Sequence, residues 1–316
     1  MGKIKIQAAV FAGAFLCCFL WASAFPGIKI GYRLWGIQGS DTWRIIRFAG
    51  VRFFLAGLLV ILFASISRRK LLLPKSAEFP KVILLSAFQT IGQYVFFYLG
   101  LAHTGGVNSA VVNSLTTFFA IIIAAVVMHM EKLTAKKMIG CLLGFFGVLI
   151  INLSVQGFSF SPLGDGLVAL SAFCSGVSSN LLKRYSQKHD TVIFSGYQFI
   201  FGGAVMTVMG HAGLWLSGES AAVNPDDTSK AVIILVYLAL VSSVAYTLWG
   251  LLLKKNDVSK ISIFGFMTPV LGVVLSALLL GEGGQLGIRH IVSLVFITAG
   301  IIVVNLKKDI SKEKYP

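Results

Sequence analysis

The stretch Ile263–Glu282, IFGFMTPVLGVVLSALLLGE, decides the fold class of this chain. It carries no charge before its last residue, and about 20 apolar residues in an α-helix cover the hydrocarbon core of a bilayer. The same pattern occurs earlier, where Phe118–Glu131, FFAIIIAAVVMHME, matches Pro269–Glu282, and a threonine precedes both copies. This repetition indicates that one helical unit is used twice along the chain.

Composition indicates an integral membrane protein. Of the 316 residues, 56% are hydrophobic and 12% are charged, and the mean hydropathy is +0.85. A soluble domain of any class is less apolar than this. The apolar runs predict ten spans, at about Ala8–Ile30, Ile46–Ser67, Pro80–Leu101, Gly106–His129, Ala135–Leu153, Leu163–Leu182, Thr191–Leu216, Ala231–Leu253, Lys260–Leu280 and Leu286–Leu306.

The N-terminus imitates a secretory signal, because Ala22-Ser23-Ala24 follows an apolar run. We interpret it as the first span instead, since Pro26 lies just past the supposed cleavage site and the apolar run continues to Ile30.

The charge distribution predicts the orientation. The formal net charge is +15, but the basic residues lie in short loops between apolar runs, which fits membrane topology and not a nucleic-acid partner. Most Lys and Arg residues fall on one side, which predicts that both termini are cytoplasmic in a multi-pass protein of the cell membrane. The opposite side carries only Arg33, Arg44, Arg47, Lys230 and Arg289.

Cysteine usage gives no sign of a metal site or a disulfide framework. All four cysteines lie inside apolar runs, without the spacing of metal ligands. We expect no metal and no cofactor. The four are Cys17, Cys18, Cys141 and Cys174.

Two further repeats extend the first one. Arg52–Gly57 resembles Gln198–Gly203, and Gly147–Asn152 resembles Gly300–Asn305. We therefore expect two units of five spans, residues 1–153 and 154–316, in one integrated membrane domain. An odd number of spans makes the second unit enter the membrane from the opposite face, which gives inverted repeats. The predicted fold is an all-α polytopic membrane protein with ten transmembrane helices, arranged as two inverted five-helix repeats around a central cavity.

These motifs resemble those of a known family. The segment Trp21–Pro26, the Arg52-Phe53 pair, the run from Pro269 to Glu282 and the terminal Gly-to-Asn repeats resemble the drug/metabolite transporter superfamily, specifically its EamA-type ten-helix members. The resemblance covers about Ala8 to Leu306. It implies a basket of ten helices around a central cavity that carries amino acids or other small metabolites, usually outward. The proline usual in both copies is replaced by Phe118 in the first, so we expect a lopsided helix break, with span nine bending more than span four.

Polar and aromatic side chains inside the spans are the candidates for substrate contact, since unpaired polar groups are costly in lipid. For the serines, helix packing is the alternative explanation. Pro26 and Pro269 are candidate gate hinges, although prolines are common in membrane helices without such a role. The candidate substrate-binding residues are Trp21, Arg52, Gln89, Gln93, Tyr94, Asn113, Thr117, Ser175, Ser178, Tyr246 and Trp249.

Charged residues near the spans raise two questions. Arg52 is either a clamp for a substrate carboxylate or an arginine that reaches the headgroups at the membrane boundary. Glu131 and Glu282 close the paired helices, where ordinary helix-end charges are expected. Because no Asp or Glu lies in mid-span, the chain lacks the usual carboxylate relay of proton-driven carriers, which predicts transport downhill or by exchange.

The sequence therefore predicts a secondary transporter of a small metabolite, most simply an amino acid or related compound, that works by alternating access and favours export. A drug or lipophilic-cation exporter is the alternative, with a membrane-embedded enzyme or a channel behind it. No pair of nucleophile and base and no Gly-rich phosphate loop supports an enzyme. The expected partners are a small-molecule substrate and the lipid bilayer. The sequence does not indicate an oligomeric state.

Overall fold

A computed structural model describes residues 2–104, 106–152, 161–219, 227–280 and 288–306, and all regular secondary structure in these ranges is helical. The longer helices are α1 (Gly2–Leu34), α2 (Thr42–Ser67), α7 (Ala135–Asn152), α8 (Pro162–Ser186), α9 (Thr191–Leu216), α10 (Thr228–Lys255), α12 (Met267–Leu280) and α13 (Ile288–Asn305). The shorter ones are α3 (Phe79–Ser86), α4 (Gln93–Leu101), α5 (Gly106–Asn113), α6 (Thr116–Ile122) and α11 (Val258–Ser262).

Helical segments in the described ranges are long and apolar enough to cross a bilayer at eight places, and they make the chain a multi-pass membrane protein. They are Gln7–Leu34, Thr42–Ser67, Ser76–Leu101, Asn108–Val127, Thr191–Leu216, Thr228–Lys255, Val258–Leu279 and Ile288–Asn305. The predicted fifth and sixth spans coincide with α7 and α8.

Helices α2 and α9 contact each other along their length through glycines. A Cβ on Gly57 would lie 2.6 Å from the carbonyl oxygen of Gly196, and one on Gly203 would lie 2.7 Å from that of Gly50. The two helices therefore run antiparallel with their backbones in contact, as small residues permit between membrane helices.

Helices α7 and α13 form a second antiparallel pair of the same kind. A Cβ on Gly140 would lie 2.8 Å from the carbonyl oxygen of Gly300, and the Ser293 hydroxyl donates to the carbonyl of Gly147 at 2.6 Å. Gly140 therefore serves packing against the last span.

Both copies of the opening motif contain an interrupted helix. The first is broken at Ser114 and Leu115, between α5 and α6, and continues as a π-helical turn at Ile123–Val127. In the second, a 3-10 turn at Ile263–Phe266 separates α11 from α12, and α12 is continuous through Pro269.

Proline is not required for a break, because the copy without proline is interrupted as well; that span nine bends more than span four stays a prediction. The Ser114 hydroxyl donates to the carbonyl of Val111 at 2.6 Å, and such a side-chain bond to the preceding turn competes with the helix ladder. In the second copy the 3-10 turn lies about one helical turn before Pro269. A proline removes the hydrogen bond to the carbonyl four residues earlier, and its ring clashes with that carbonyl. Pro26 lies inside α1, which continues through it.

Polar ties join separate helices at the end of the molecule that the sequence predicts to be cytoplasmic. Arg68 forms an ion pair with Asp190, and the imidazole Nδ1 of His189 lies 2.8 Å from a carboxylate oxygen of Glu78. Burial raises the pKa of Asp190, but the hydrogen bonds from Arg68 and from the backbone N–H of Val192 outweigh it and lower that pKa below its usual value. The Asp190 carboxylate thus stays charged in this tie.

Glu131 forms a further tie at this end. Its carboxylate lies 3.3 Å from the ammonium of Lys137 and accepts hydrogen bonds from the hydroxyl and the backbone N–H of Ser259 at 3.0 and 3.2 Å. It therefore links the end of the fourth span to the start of the ninth, which is more than a simple helix-end charge does. Glu282 lies outside the described residues.

The backbone contact between α2 and α9 predicts a stability difference between two glycines. Gly57→Ala is expected to lower the free energy of unfolding by about 1–3 kcal/mol, because the added methyl group overpacks the contact. Gly166→Ala in α8 is the matched control, since a Cβ there meets nothing within 4 Å and alanine favours the helix. Thermal unfolding of both variants in the same detergent measures the difference, and equal stability of the two would contradict the contact.

Candidate functional site

A ring of aromatic side chains from α1, α2, α4, α9 and α10 lies at the centre of the helix bundle. Phe53 stacks on Phe199 with ring centroids 5.2 Å apart and an interplanar angle of 7°, and it also contacts Tyr94 at 4.4 Å. Phe199 contacts Tyr246 at 5.1 Å. The hydroxyls of Tyr94 and Tyr246 are hydrogen-bonded at 2.5 Å, which closes the ring.

Two tryptophans extend the ring on one side. Trp21 of α1 lies edge-to-face against Tyr246 at 5.0 Å and against Trp249 at 4.9 Å. The indole Nε1 of Trp21 is buried and has no hydrogen-bond partner. A buried donor without a partner costs free energy. It is therefore available to a ligand that reaches this position.

Arg52 places the one strong charge of the ring near the middle of α2. Its guanidinium carbon lies 4.3 Å from the ring centroid of Phe53 and 5.9 Å from that of Tyr94, and the residue is 4% exposed. Of the two positions that the sequence left open for Arg52, this burial favours the protein interior over the headgroups.

Arg52 has aromatic neighbours but no anionic one. In the part of the chain that the structure describes, no carboxylate forms an ion pair with it, and its Nε has no hydrogen-bond partner. Cation–π contacts recover part of the cost of burying a charge, but a buried cation normally has a counter-anion. The arrangement is therefore suited to an anionic group that is supplied from outside the protein.

Further polar groups lie beside the guanidinium. Gln93 neighbours the Tyr246 hydroxyl, and its own Oε1 is buried without a partner. Tyr98 contacts Tyr94 with ring centroids 6.1 Å apart, and Tyr32 of α1 interacts with both Tyr98 and Arg52. The guanidinium thus interacts with the hydroxyl groups of tyrosines from three helices, and the Gln93 amide lies next to one of these hydroxyls.

The structure brings together six of the predicted residues and not the others. Thr117 donates its hydroxyl to the carbonyl of Ser262 at 3.1 Å, which ties the fourth span to the ninth. Ser178 donates its hydroxyl to the backbone carbonyl of Ser175, so this hydroxyl is satisfied within α8. Gln89 is buried with an unpartnered Oε1, but no contact joins it to the ring. The six in the ring or beside it are Trp21, Arg52, Gln93, Tyr94, Tyr246 and Trp249.

Asn113 and the two prolines are located by the helices that carry them. Asn113 is half-buried at the end of α5, one residue before the break at Ser114. Pro26 lies within α1 and Pro269 within α12.

Sequence reasoning missed Tyr32 and Phe199. Phe199 had a usable signal, since it occupies the position of Phe53 in the repeated motif. Tyr32 had none, because only the tertiary structure brings the end of α1 beside α2 and α4.

Comparison with known proteins identifies the family. The sequence model of the EamA-like transporter family matches residues 9–153 and, a second time, residues 162–306. The chain belongs to the EamA-like transporter family. Its membership makes this multi-pass membrane protein a transporter and confirms the resemblance seen in the sequence.

Relatives of this EamA-like transporter include proteins with and without a described cargo. A probable amino-acid metabolite efflux pump of Escherichia coli (strain K12) is 26% identical over 301 residues, which cover 93% of this chain and 92% of that protein. The uncharacterized transporter YvbV of Bacillus subtilis (strain 168) is 28% identical over 275 residues, 84% of each chain. A crystal structure that is 18% identical matches with a TM-score of 0.74 over 94% of this chain and 96% of its own, which shows a shared fold.

The lack of a counter-anion predicts how Arg52 affects stability. Arg52→Gln, which copies Gln198 of the second motif, is expected to leave the free energy of unfolding unchanged or to raise it by up to about 2 kcal/mol, because it removes a buried unpaired charge. Gln198→Leu is the matched comparison and is expected to cost about 1–3 kcal/mol, since Gln198 accepts a hydrogen bond from Thr90. Thermal unfolding in detergent ranks the two. A larger loss for Arg52→Gln would assign Arg52 a structural role.

Proposed function

We propose that this EamA-like transporter carries a small carboxylate-bearing metabolite, an amino acid or related compound, across the cytoplasmic membrane by alternating access. Export is the favoured direction, and transport runs downhill or by exchange. The proposed architecture has ten transmembrane helices in two inverted five-helix repeats, residues 1–153 and 154–316, with both termini cytoplasmic. The observation that carries the proposal is the buried Arg52 guanidinium, which has aromatic walls and no counter-anion among the described residues.

Contacts between equivalent residues support the inverted repeats. Phe53 and Phe199 occupy the same position of the repeated motif and stack on each other. Tyr94 and Tyr246 lie equally far from the starts of Ser76–Leu101 and Thr228–Lys255, and their hydroxyls meet. Residues that are related by a two-fold axis contact their own equivalents only where they lie on that axis. Two such pairs in the centre of the molecule are what a two-fold axis in the membrane plane requires.

The helix contacts support the same axis. Exchange of the two halves maps the α2–α9 pair onto itself and the α7–α13 pair onto itself, and both pairs are antiparallel. The same exchange maps the contact of α1 with α10 onto the contact of α8 with α4. The family match to each half of the chain agrees with this division. Inverted halves can exchange conformations, and that exchange is the basis of alternating access.

Charge supports a substrate with a carboxylate. A guanidinium presents paired N–H donors that fit a carboxylate, and such charge-assisted bonds are stronger where water is excluded. The unpartnered Trp21 Nε1 and Gln93 Oε1 add a donor and an acceptor nearby. The efflux-pump relative from Escherichia coli is described as acting on amino-acid metabolites, which fits the same chemistry. A lipophilic cation would instead meet the positive charge of Arg52.

Transport by proteoliposomes tests the role of Arg52. With L-phenylalanine and benzoate as labelled probes, Arg52→Gln is expected to reduce counterflow by about tenfold or more, because one charge-assisted pair with the substrate is lost. Arg33→Gln is the control, since Arg33 is exposed at the end of α1. Near-normal counterflow by Arg52→Gln would remove the carboxylate clamp.

The same vesicles separate the competing functions. Counterflow of tetraphenylphosphonium without counterflow of either carboxylate would favour the lipophilic-cation exporter. Non-saturating flux without counterflow would favour a channel. Saturable counterflow of a carboxylate, lost with Arg52→Gln, is the result expected of the proposed carrier.

Energy coupling is tested with an imposed pH gradient. We expect the gradient to leave the final level of accumulated probe unchanged, because the buried carboxylate of Glu131 is held by Lys137 and Ser259. Glu131→Gln is expected to behave likewise in this assay. Uphill accumulation that follows the pH gradient in both proteins would overturn the proposal of downhill or exchange transport.

A further inference from the structure

The connection between the second and third spans, residues 68–75, exposes leucines at the end of the molecule that the sequence predicts to be cytoplasmic. Leu71 is 71% exposed and Leu73 is 60% exposed, although neither lies in a helix. Leu72 between them is 3% exposed. Side chains alternate in direction along an extended segment, so Leu71 and Leu73 lie on one side and Leu72 on the other. The connection thus displays two apolar side chains just beyond the ends of two spans.

Hydrogen bonds hold this display in place. The backbone N–H of Leu72 donates to the hydroxyl of Ser65 in α2 at 3.1 Å, and its carbonyl accepts the hydroxyl of Tyr197 in α9 at 2.9 Å. The backbone N–H of Lys75 donates to the carboxylate of Glu78 at 2.8 Å. Both backbone groups of Leu72 are therefore bonded and its side chain is buried, which keeps the leucines on either side turned outward.

Exposed basic side chains flank the leucines, and none of them forms an ion pair within the described ranges. They are Arg69, Lys70 and Lys75. The nearby carboxylates have other partners, since Asp190 pairs with Arg68 and the buried Glu78 lies against His189. The connection therefore presents positive charge beside an apolar surface.

Arg69 has a backbone conformation that normally selects glycine. Its φ is +50°, in the left-handed region. Its N–H donates to the carbonyl of Ile66 at 3.1 Å, and the N–H of Lys70 donates to that of Ser65 at 3.1 Å, which is the Schellman pattern of a helix end. Glycine is usual at this position, because a Cβ makes the left-handed region costly. An arginine here gives up stability for its side chain, which points to a function for that side chain.

Membrane topology accounts for the charges at this end but not for the leucines among them. Lys254 and Lys255, which are exposed at the end of α10, show the simple case, since polar Asn256 and Asp257 follow them. Leucines that reach the boundary of the acyl chains, together with basic groups at the level of the phosphates, are typical of a surface that binds anionic lipid.

We infer that residues 69–75 form a docking site for a phospholipid with a negatively charged headgroup at the predicted cytoplasmic face. Arg69, Lys70 and Lys75 meet its phosphate, and Leu71 and Leu73 lie among its acyl chains beside the headgroup. The site does not depend on the transported substrate. It is also remote from the aromatic ring, because 15 residues of α2 separate Arg52 from the end of the helix, which corresponds to about 22 Å along the axis.

Quenching by brominated lipids measures the lipid preference of this site. The full-length Leu73→Trp protein is reconstituted in phosphatidylcholine vesicles that contain equal fractions of either brominated phosphatidylglycerol or brominated phosphatidylcholine. The reporter signal is the difference from the protein without this substitution. We expect phosphatidylglycerol to be preferred by about tenfold or more, because each basic residue near the surface contributes a factor of up to about five.

Substitutions in the reporter protein separate a site from general surface charge. Arg69→Gly is expected to lower the preference by about fivefold, while the melting temperature in neutral detergent stays the same or rises, because glycine adopts a positive φ freely. A loss of lipid preference without a loss of stability is then not a folding defect. Lys254→Gln removes one exposed charge from the same predicted face and is expected to leave the preference within about twofold. Arg69→Lys keeps the charge and is expected to keep the preference.

Three results would overturn the inference. Equal losses with Arg69→Gly and Lys254→Gln would mean that diffuse surface charge causes the preference. Equal quenching by the two brominated lipids would leave this surface to a different partner, such as an acidic protein. Relief of the quenching by excess soluble glycerol 3-phosphate would assign the basic residues to free phosphate groups, since the leucines would then contribute nothing.

Discussion

The backbone contact between α2 and α9 is the constraint on which the centre of this transporter depends. Gly57 and Gly203 let the two helices meet without intervening side chains, each against the carbonyl of a glycine on the other helix. The larger residues between these glycines, Phe53 and Phe199, are thereby forced face to face. Tyr94 and Tyr246 then close over this stack from α4 and α10. The aromatic ring is therefore a consequence of helix packing, and the ring in turn fixes the surroundings of Arg52.

The two copies of the repeated motif, Arg52–Gly57 and Gln198–Gly203, differ in the polar residue at their first position. Gln198, the counterpart of Arg52, accepts a hydrogen bond from Thr90 and donates to the carbonyl of Ser195 at 3.3 Å, so the protein itself satisfies its amide. The Arg52 guanidinium instead lies over the rings of Phe53 and Tyr94, with no ion pair among the described residues. The same position of the motif thus holds a hydrogen-bonded amide that ties α9 to the third span in one copy and a buried charge in the other. Unsatisfied groups of this kind are expected at functional positions, where stability is given up for binding.

The sequence was sufficient for what depends on local pattern. Apolar runs located the helices, and the repeated motifs aligned Phe53 with Phe199 before any contact was known. The expected difference between the two helix breaks rested on proline alone, whereas in the first copy a serine hydroxyl bonds to the preceding turn at a break without proline. Tyr32 was out of reach, since its place beside Arg52 depends on how α1 crosses α2. Ser178 illustrates the same limit, because a serine that faces a cavity and one that bonds to its own helix share one sequence pattern.

The two interrupted helices are built so that their breaks leave few backbone groups unsatisfied in the membrane. The carbonyl of Ser262 accepts the hydroxyl of Thr117, and the carbonyl of Phe264 accepts the thiol of Cys18 at 3.2 Å. Each partner comes from a different helix, so the break in the ninth span is tied to both the fourth and the first. In the membrane no water can replace a lost hydrogen bond, so a carbonyl that moves to a new donor costs less free energy than one left without a donor. Movement of the ninth span must therefore carry α1 and α6 with it or find them new partners. Trp21 lies on α1 between this tie and the aromatic ring, so the same movement reaches the Arg52 site through a single helix.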